Sequence, residues 1–95
     1  MMDKLGKVFL LDDDIFFLNL YKDLLEAKGY EVFVATNAYK FLLYAKEIHP
    51  DILIIDVQMP EVSGWEVLQL IDSEVKKNTP VVMTTLLSEK TIGVS

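Results

Sequence analysis

The chain has 95 residues, 52% of them apolar, with 15 acidic side chains against 9 basic ones and a net charge of −6. That length is one domain, 1–95, with enough apolar residues for a core. The acidic balance, with lysine as the only strong base, argues against direct nucleic-acid binding, which wants a basic face. The absence of cysteine excludes disulfides and thiolate zinc sites. No apolar run reaches the roughly 18 residues of a membrane span, and "MMDKLGK" lacks a secretory-signal layout, so a cytoplasmic domain without membrane contact is expected.

Lys7 to Leu11, "KVFLL", is apolar on successive residues, as in a strand buried on both faces. Three consecutive carboxylates follow, Asp12, Asp13 and Asp14. Asp14 is placed to cap a helix from Ile15 to Lys28, with Phe17, Leu18, Tyr21, Leu24 and Leu25 at helical spacings and Gly29 as its stop. Tyr30 to Thr36 predicts a second strand. Thr36 or Asn37 opens a second helix, Ala38 to about Ile48, striped by Phe41, Leu42, Ala45 and Ile48 and broken by "HPD".

Asp51 to Val57, "DILIIDV", predicts a third strand, and Gln58 to Gly64 a turn-rich loop. Ser63 caps a third helix predicted from Trp65 to about Lys77, with Val67, Leu68, Ile71 and Val75 as its stripe. Val81 to Leu86 predicts a fourth strand, and Ser88 with Glu89 and Lys90 the start of another helix. Strands alternating with helices in this way predict an α/β fold, a parallel sheet with right-handed crossovers.

In an open parallel sheet, ligands sit beyond the carboxyl ends of the strands. Asp12 and Asp13 end the first strand and Asp56 lies near the end of the third. If those strands are neighbours, three carboxylates converge. Two unit charges at about 4 Å and an effective dielectric near 20 repel by roughly 4 kcal/mol, so the cluster calls for a cation, and hard oxygen ligands at that density suit Mg²⁺. Thr84 and Thr85 end the fourth strand, where a hydroxyl can reach a group carried on Asp56. His49, Trp65, Tyr39, Phe41 and Tyr44 read as ordinary loop or packing residues, and no glycine-rich phosphate loop follows the first strand.

These residues together resemble the receiver domain of two-component response regulators. "LLDDD" resembles the family's acidic pair at Asp12 and Asp13, "DVQMPEVSG" its D-x-x-M-P-x-x-x-G signature from Asp56 to Gly64, and "PVVMTTL" its fourth strand. The resemblance implies a doubly wound, flavodoxin-like parallel sheet in the order 2-1-3-4. It makes Asp56 the phosphoacceptor, Thr85 the switch hydroxyl, and Asp12, Asp13, Asp56 and the backbone carbonyl of Gln58 the metal ligands, with Pro60 and Gly64 shaping the loop. The family also has a fifth strand and helix and a lysine that contacts the phosphoryl group; these have no counterpart here, so the domain reads as C-terminally incomplete. Leu86 stands where the family usually has a small residue, which narrows access to Asp56.

The implied function is phosphorelay signalling, not enzymatic turnover. A histidine kinase or phosphotransfer protein donates a phosphoryl group to Asp56 in a Mg²⁺-dependent step, and Thr85 then biases a protein-interaction surface. The alternative is a receiver-like protein-binding scaffold, or an inactive fragment, that associates without phosphorylation. A homo-oligomer is expected in either case. Without a fifth unit, the uncharged fourth strand is an open edge, and Phe16 and Leu20 add an apolar face to the first helix. Edge pairing, helix packing and exchange of elements are the three routes.

Overall fold

The computed structural model describes residues 4–84. Its elements are β1 (Lys7–Leu11), α1 (Ile15–Ala27), β2 (Glu31–Ala35), α2 (Ala38–Ile48), β3 (Ile52–Asp56), α3 (Gly64–Leu70), α4 (Ser73–Asn78) and β4 (Val81–Thr84). The four strands form one sheet in the order β2-β1-β3-β4, and every pairing is parallel. This is the predicted order and fold class.

Side-chain alternation along the strands divides the core in two. Phe9 and Leu11 of β1 and Leu53 and Ile55 of β3 face one way, onto Phe41 and Ala45 of α2 and Val67 of α3. The Phe9 and Phe41 rings lie 4.5 Å apart, centroid to centroid. Val8, Leu10 and Val32 face the other way, onto Leu18 of α1 with Tyr21 and Leu25 beside it. β1 contributes to both clusters, which is why its apolar residues are consecutive and do not alternate.

The helix ends follow from local chemistry. The Asp14 carboxylate accepts from the Phe16 and Phe17 N–H groups at 2.9 and 3.4 Å. Asn37 accepts from Lys40 N–H at 2.8 Å. Ser63 and Glu66 cap reciprocally, with bonds of 3.2 and 3.1 Å. At the far end of α1, Gly29 has φ +106°, and its N–H and that of Tyr30 return to Glu26 and Leu25 carbonyls at 3.0 and 3.1 Å. That closure needs a left-handed residue, hence glycine. His49 ends α2 in the same region, with φ 55°, before Pro50 turns the chain into β3.

One expected element is corrected. The single helix predicted from Trp65 to about Lys77 is two helices, α3 and α4. Ile71 is extended, with φ −63° and ψ 137°, and Asp72 caps α4. The Asp72 carboxylate accepts from Glu74 N–H at 2.9 Å, the local bond by which Asp competes with a continuous helix. The apolar stripe nevertheless stays in phase: Val67 and Ile71 are buried and Val75 packs against them. Thr85, Leu86, the predicted extension of the fourth strand to Leu86 and the helix start at Ser88 lie outside the described residues.

Candidate acidic site at the carboxyl ends of the strands

β1 and β3 are adjacent and in register, Leu11 against Ile55. The next residue on each is a carboxylate, so Asp12 and Asp56 end neighbouring strands side by side. Asp12 is 7% exposed and Asp56 is fully buried, whereas Asp13 faces solvent. One carboxylate oxygen from each of Asp12, Asp13 and Asp56 can be chosen so that all three lie within 4.8 Å of one another. The convergence expected from the sequence is therefore present.

Backbone donors orient the two buried carboxylates. Asp14 N–H donates to Asp12 Oδ1 at 2.9 Å, and Gln58 N–H donates to Asp56 Oδ1 at 3.0 Å. The second bond fixes the Gln58 backbone next to Asp56. Asp56 also stands opposite Thr84 in register, and the Thr84 carbonyl accepts from Val57 N–H at 3.1 Å. Thr84 thus lies beside the acidic cluster, on the sheet face shared with α1, while Thr85 falls outside the described residues.

The loop after Asp56 is held by Gly64, whose N–H donates to the Val57 carbonyl at 2.9 Å. A Cβ at Gly64 would collide with the Asp56 carbonyl oxygen and sit 2.9 Å from Val57 Cα. These are backbone atoms and cannot rotate aside. Gly64→Ala is therefore expected to lower stability by about 1–3 kcal/mol, the usual scale of overpacking, and to displace the Asp56 carbonyl. Thermal unfolding in metal-free buffer checks it, with an unchanged midpoint as the contrary result.

The sequence reading missed the walls beside the cluster. A depression of about 260 Å³ opens next to Asp13, lined by Thr36, Asn37, Ala38, Met59, Pro60, Glu61 and Val62. It joins the loops after β2 and β3, which no local pattern links. His49 lies elsewhere, in a depression between the end of α2 and α4, and Trp65 is half exposed at the start of α3. Neither belongs to the acidic cluster.

The donor set fits a hard divalent cation. Three carboxylates supply oxygen only, and oxygens around one Mg²⁺ with bonds of about 2.1 Å are roughly 3–4 Å apart. A cluster already within 4.8 Å needs only a small contraction.

A four-stranded parallel sheet in the order 2-1-3-4, with an acidic cluster at its carboxyl edge, defines a receiver-type α/β domain. The chain belongs to the response regulator receiver domain family, whose profile matches residues 8–94. Among curated proteins it is 38% identical over 84 residues to the polar-differentiation response regulator DivK of Brucella ovis, covering 87% of this chain and 68% of that protein. Among solved structures, the chemotaxis protein CheY4 of Vibrio cholerae superposes with a TM-score of 0.76 at 27% identity, covering 95% of this chain and 80% of that one. A receiver domain from Methanoculleus marisnigri superposes with a TM-score of 0.77 at 23% identity, covering 92% of this chain and 76% of that one, a likeness of fold alone. Receiver domains are signalling domains that bind Mg²⁺ in an acidic pocket and work with histidine kinases or phosphotransfer proteins. Among the described residues, no helix is long and apolar enough to cross a membrane.

Proposed function

We propose that this chain is a phosphoacceptor receiver, with residues 1–95 acting as one domain and Asp56 as the acceptor. The observation that carries the reading is the meeting of Asp12, Asp13 and Asp56 at the carboxyl ends of adjacent strands. A carboxylate oxygen of Asp56 forms the new bond to phosphorus, and the donor's imidazole or acyl oxygen leaves with the bonding pair. Gln58 N–H holds Asp56 Oδ1, and Asp14 N–H holds Asp12, so both side chains meet the donor in fixed orientations. Asp12, Asp13, Asp56 and the Gln58 carbonyl are the residues that would hold Mg²⁺. When bound there, Mg²⁺ neutralises charge on the phosphoryl oxygens.

The acyl phosphate adds about −1.5 to −2 charges and new acceptor oxygens at the end of β3. Thr85, the residue after Thr84 in the sequence, is the hydroxyl proposed to respond to them. The donor is a histidine kinase or phosphotransfer protein, the setting is the cytoplasm, and the domain performs no turnover of its own. The reading includes self-association of the chain.

A second reading, a scaffold that associates without phosphorylation, is favoured by the exposed apolar side chains of α1. Intact mass after incubation with acetyl phosphate and Mg²⁺ separates the two. The expected result is a gain of one phosphoryl group. An unchanged mass under conditions that label another receiver domain would favour the scaffold.

A further inference from the structure

The two faces of the sheet are covered unequally. α2, α3 and α4 pack on one face. Among the described residues, only α1 packs on the other, and it leans on β1 and β2. Beside it a groove of about 320 Å³ runs along β3 and β4, walled by Leu10, Leu18, Leu24 and Ile54. Asp12 and Thr84 stand at one end and Lys28 at the other.

The groove continues onto the surface of α1. Phe16, Leu20 and Leu24 are spaced four apart and so form a row along one side of the helix, and all three are exposed, Phe16 at 67%. The Phe16 ring meets Phe17 edge-on at 5.5 Å, and Phe17 stacks on Tyr21 at 6.1 Å. An aromatic ladder thus ties the exposed end of the row to the groove wall. Asp23, three residues from Leu20 and seven from Phe16, flanks the row, whereas Asn19, Lys22 and Glu26 lie on other sides of α1, and Lys22 pairs with Glu26 at 2.8 Å.

Charge selects the occupant. From Ile15 to Lys28 the helix carries Lys22, Lys28, Asp23 and Glu26, which sum to zero, and Asn78 to Ser88 carries no charge. The whole excess of −6 therefore resides elsewhere. Two copies of an acidic chain can therefore meet on this helix without adding net charge to the contact, Asp23 remaining at its margin.

Charge also selects the direction. If two α1 helices cross antiparallel at Leu20, Phe16 of one copy meets Leu24 of the other. Lys28 at one helix end then comes beside the acidic run Asp12–Asp14 at the start of the other. A parallel pairing would set the two acidic runs against each other.

We propose that this face docks a second copy of the chain, with the α1 helices packed antiparallel about a two-fold axis through Leu20. The contact is isologous and so closes at two copies. It is independent of the phosphoacceptor assignment.

Sedimentation equilibrium of the 95-residue chain at micromolar concentration is the test. The parent is expected to be a dimer. Leu20→Glu and Leu20→Lys are each expected to raise the dissociation constant at least about 30-fold, as for a central contact residue. Both should leave the circular dichroism spectrum and the melting profile of the monomer unchanged, since Leu20 already faces solvent. Mixing the two variants should restore dimers, because the axis sets position 20 against position 20. Val82→Glu, on the β4 edge, should leave the dimer intact, as should Asp56→Asn. A monomeric parent overturns the proposal, whether residues 85–95 cover the face or nothing does. So does a dimer that survives Leu20→Glu, or one that Val82→Glu alone abolishes, which would place the contact at the sheet edge.

Discussion

An Asp56→Asn protein is expected to gain no phosphoryl group from acetyl phosphate and Mg²⁺ under conditions that label the parent. The substitution keeps the shape of a side chain that is fully buried, and its amide oxygen can still accept the Gln58 N–H that now bonds Oδ1 at 3.0 Å. What changes is the nucleophile. The lone pairs of a carboxylate are replaced by an amide whose nitrogen pair is delocalised, and one negative charge is lost from the cluster. Asp12 and Asp13 remain in place, so the variant asks whether Asp56 alone is the acceptor. Intact mass and peptide mapping give the answer: full loss of label supports the assignment, while label that persists, or that maps to Asp12, removes it.

Removing a carboxylate from the cluster is expected to have opposite effects with and without metal. With Mg²⁺, Asp13→Ala and Asp12→Ala each delete one anionic oxygen donor from a set of three. The loss of one charge near a divalent ion should raise the dissociation constant by about tenfold or more. Without Mg²⁺ the same deletions relieve repulsion among neighbouring carboxylates, so Asp13→Ala should not melt below the parent in chelator-treated buffer. For Asp12 the relief is set against loss of the Asp14 N–H bond at 2.9 Å. Isothermal titration calorimetry and thermal melts read the two effects separately. Unchanged Mg²⁺ affinity in Asp13→Ala would remove Asp13 from the metal site.

The legible parts of this protein are those whose causes are local. Asp14, Asn37 and Ser63 cap helices because a short polar side chain precedes an apolar period, and α2 spans Ala38–Ile48 as read from its stripe. The acidic cluster was legible for a different reason. Parallel strands deliver their ends to one edge, so carboxylates at the ends of β1 and β3 meet once those strands are neighbours. The break at Ile71 was hidden because the stripe through Val67, Ile71 and Val75 keeps its period across it. The signal was Asp72 followed by Ser73 and Glu74, a cap placed inside an apolar repeat. The wall formed by Asn37, Met59 and Glu61 was not legible, because it depends on how two loops from different crossovers approach each other.

The position of β1 between β2 and β3 has a consequence for how the chain is made. Strand β1 leaves the ribosome first, yet one of its two pairing edges waits for β3, about 44 residues later in register. At roughly 5–20 residues per second of synthesis, that edge stays open for about 2–9 s. β1 is also among the most apolar segments, with Val8, Phe9, Leu10 and Leu11 all buried in the finished fold. During that interval β2 and α1 can shelter one edge and one face, but the Phe9 and Leu11 side needs α2 and β3 as well. A nascent chain that stalls before Asp56 therefore presents a sticky, half-paired strand, and substitutions that slow the docking of α1 should appear first as lost yield during expression rather than as a lower melting point of the protein that survives.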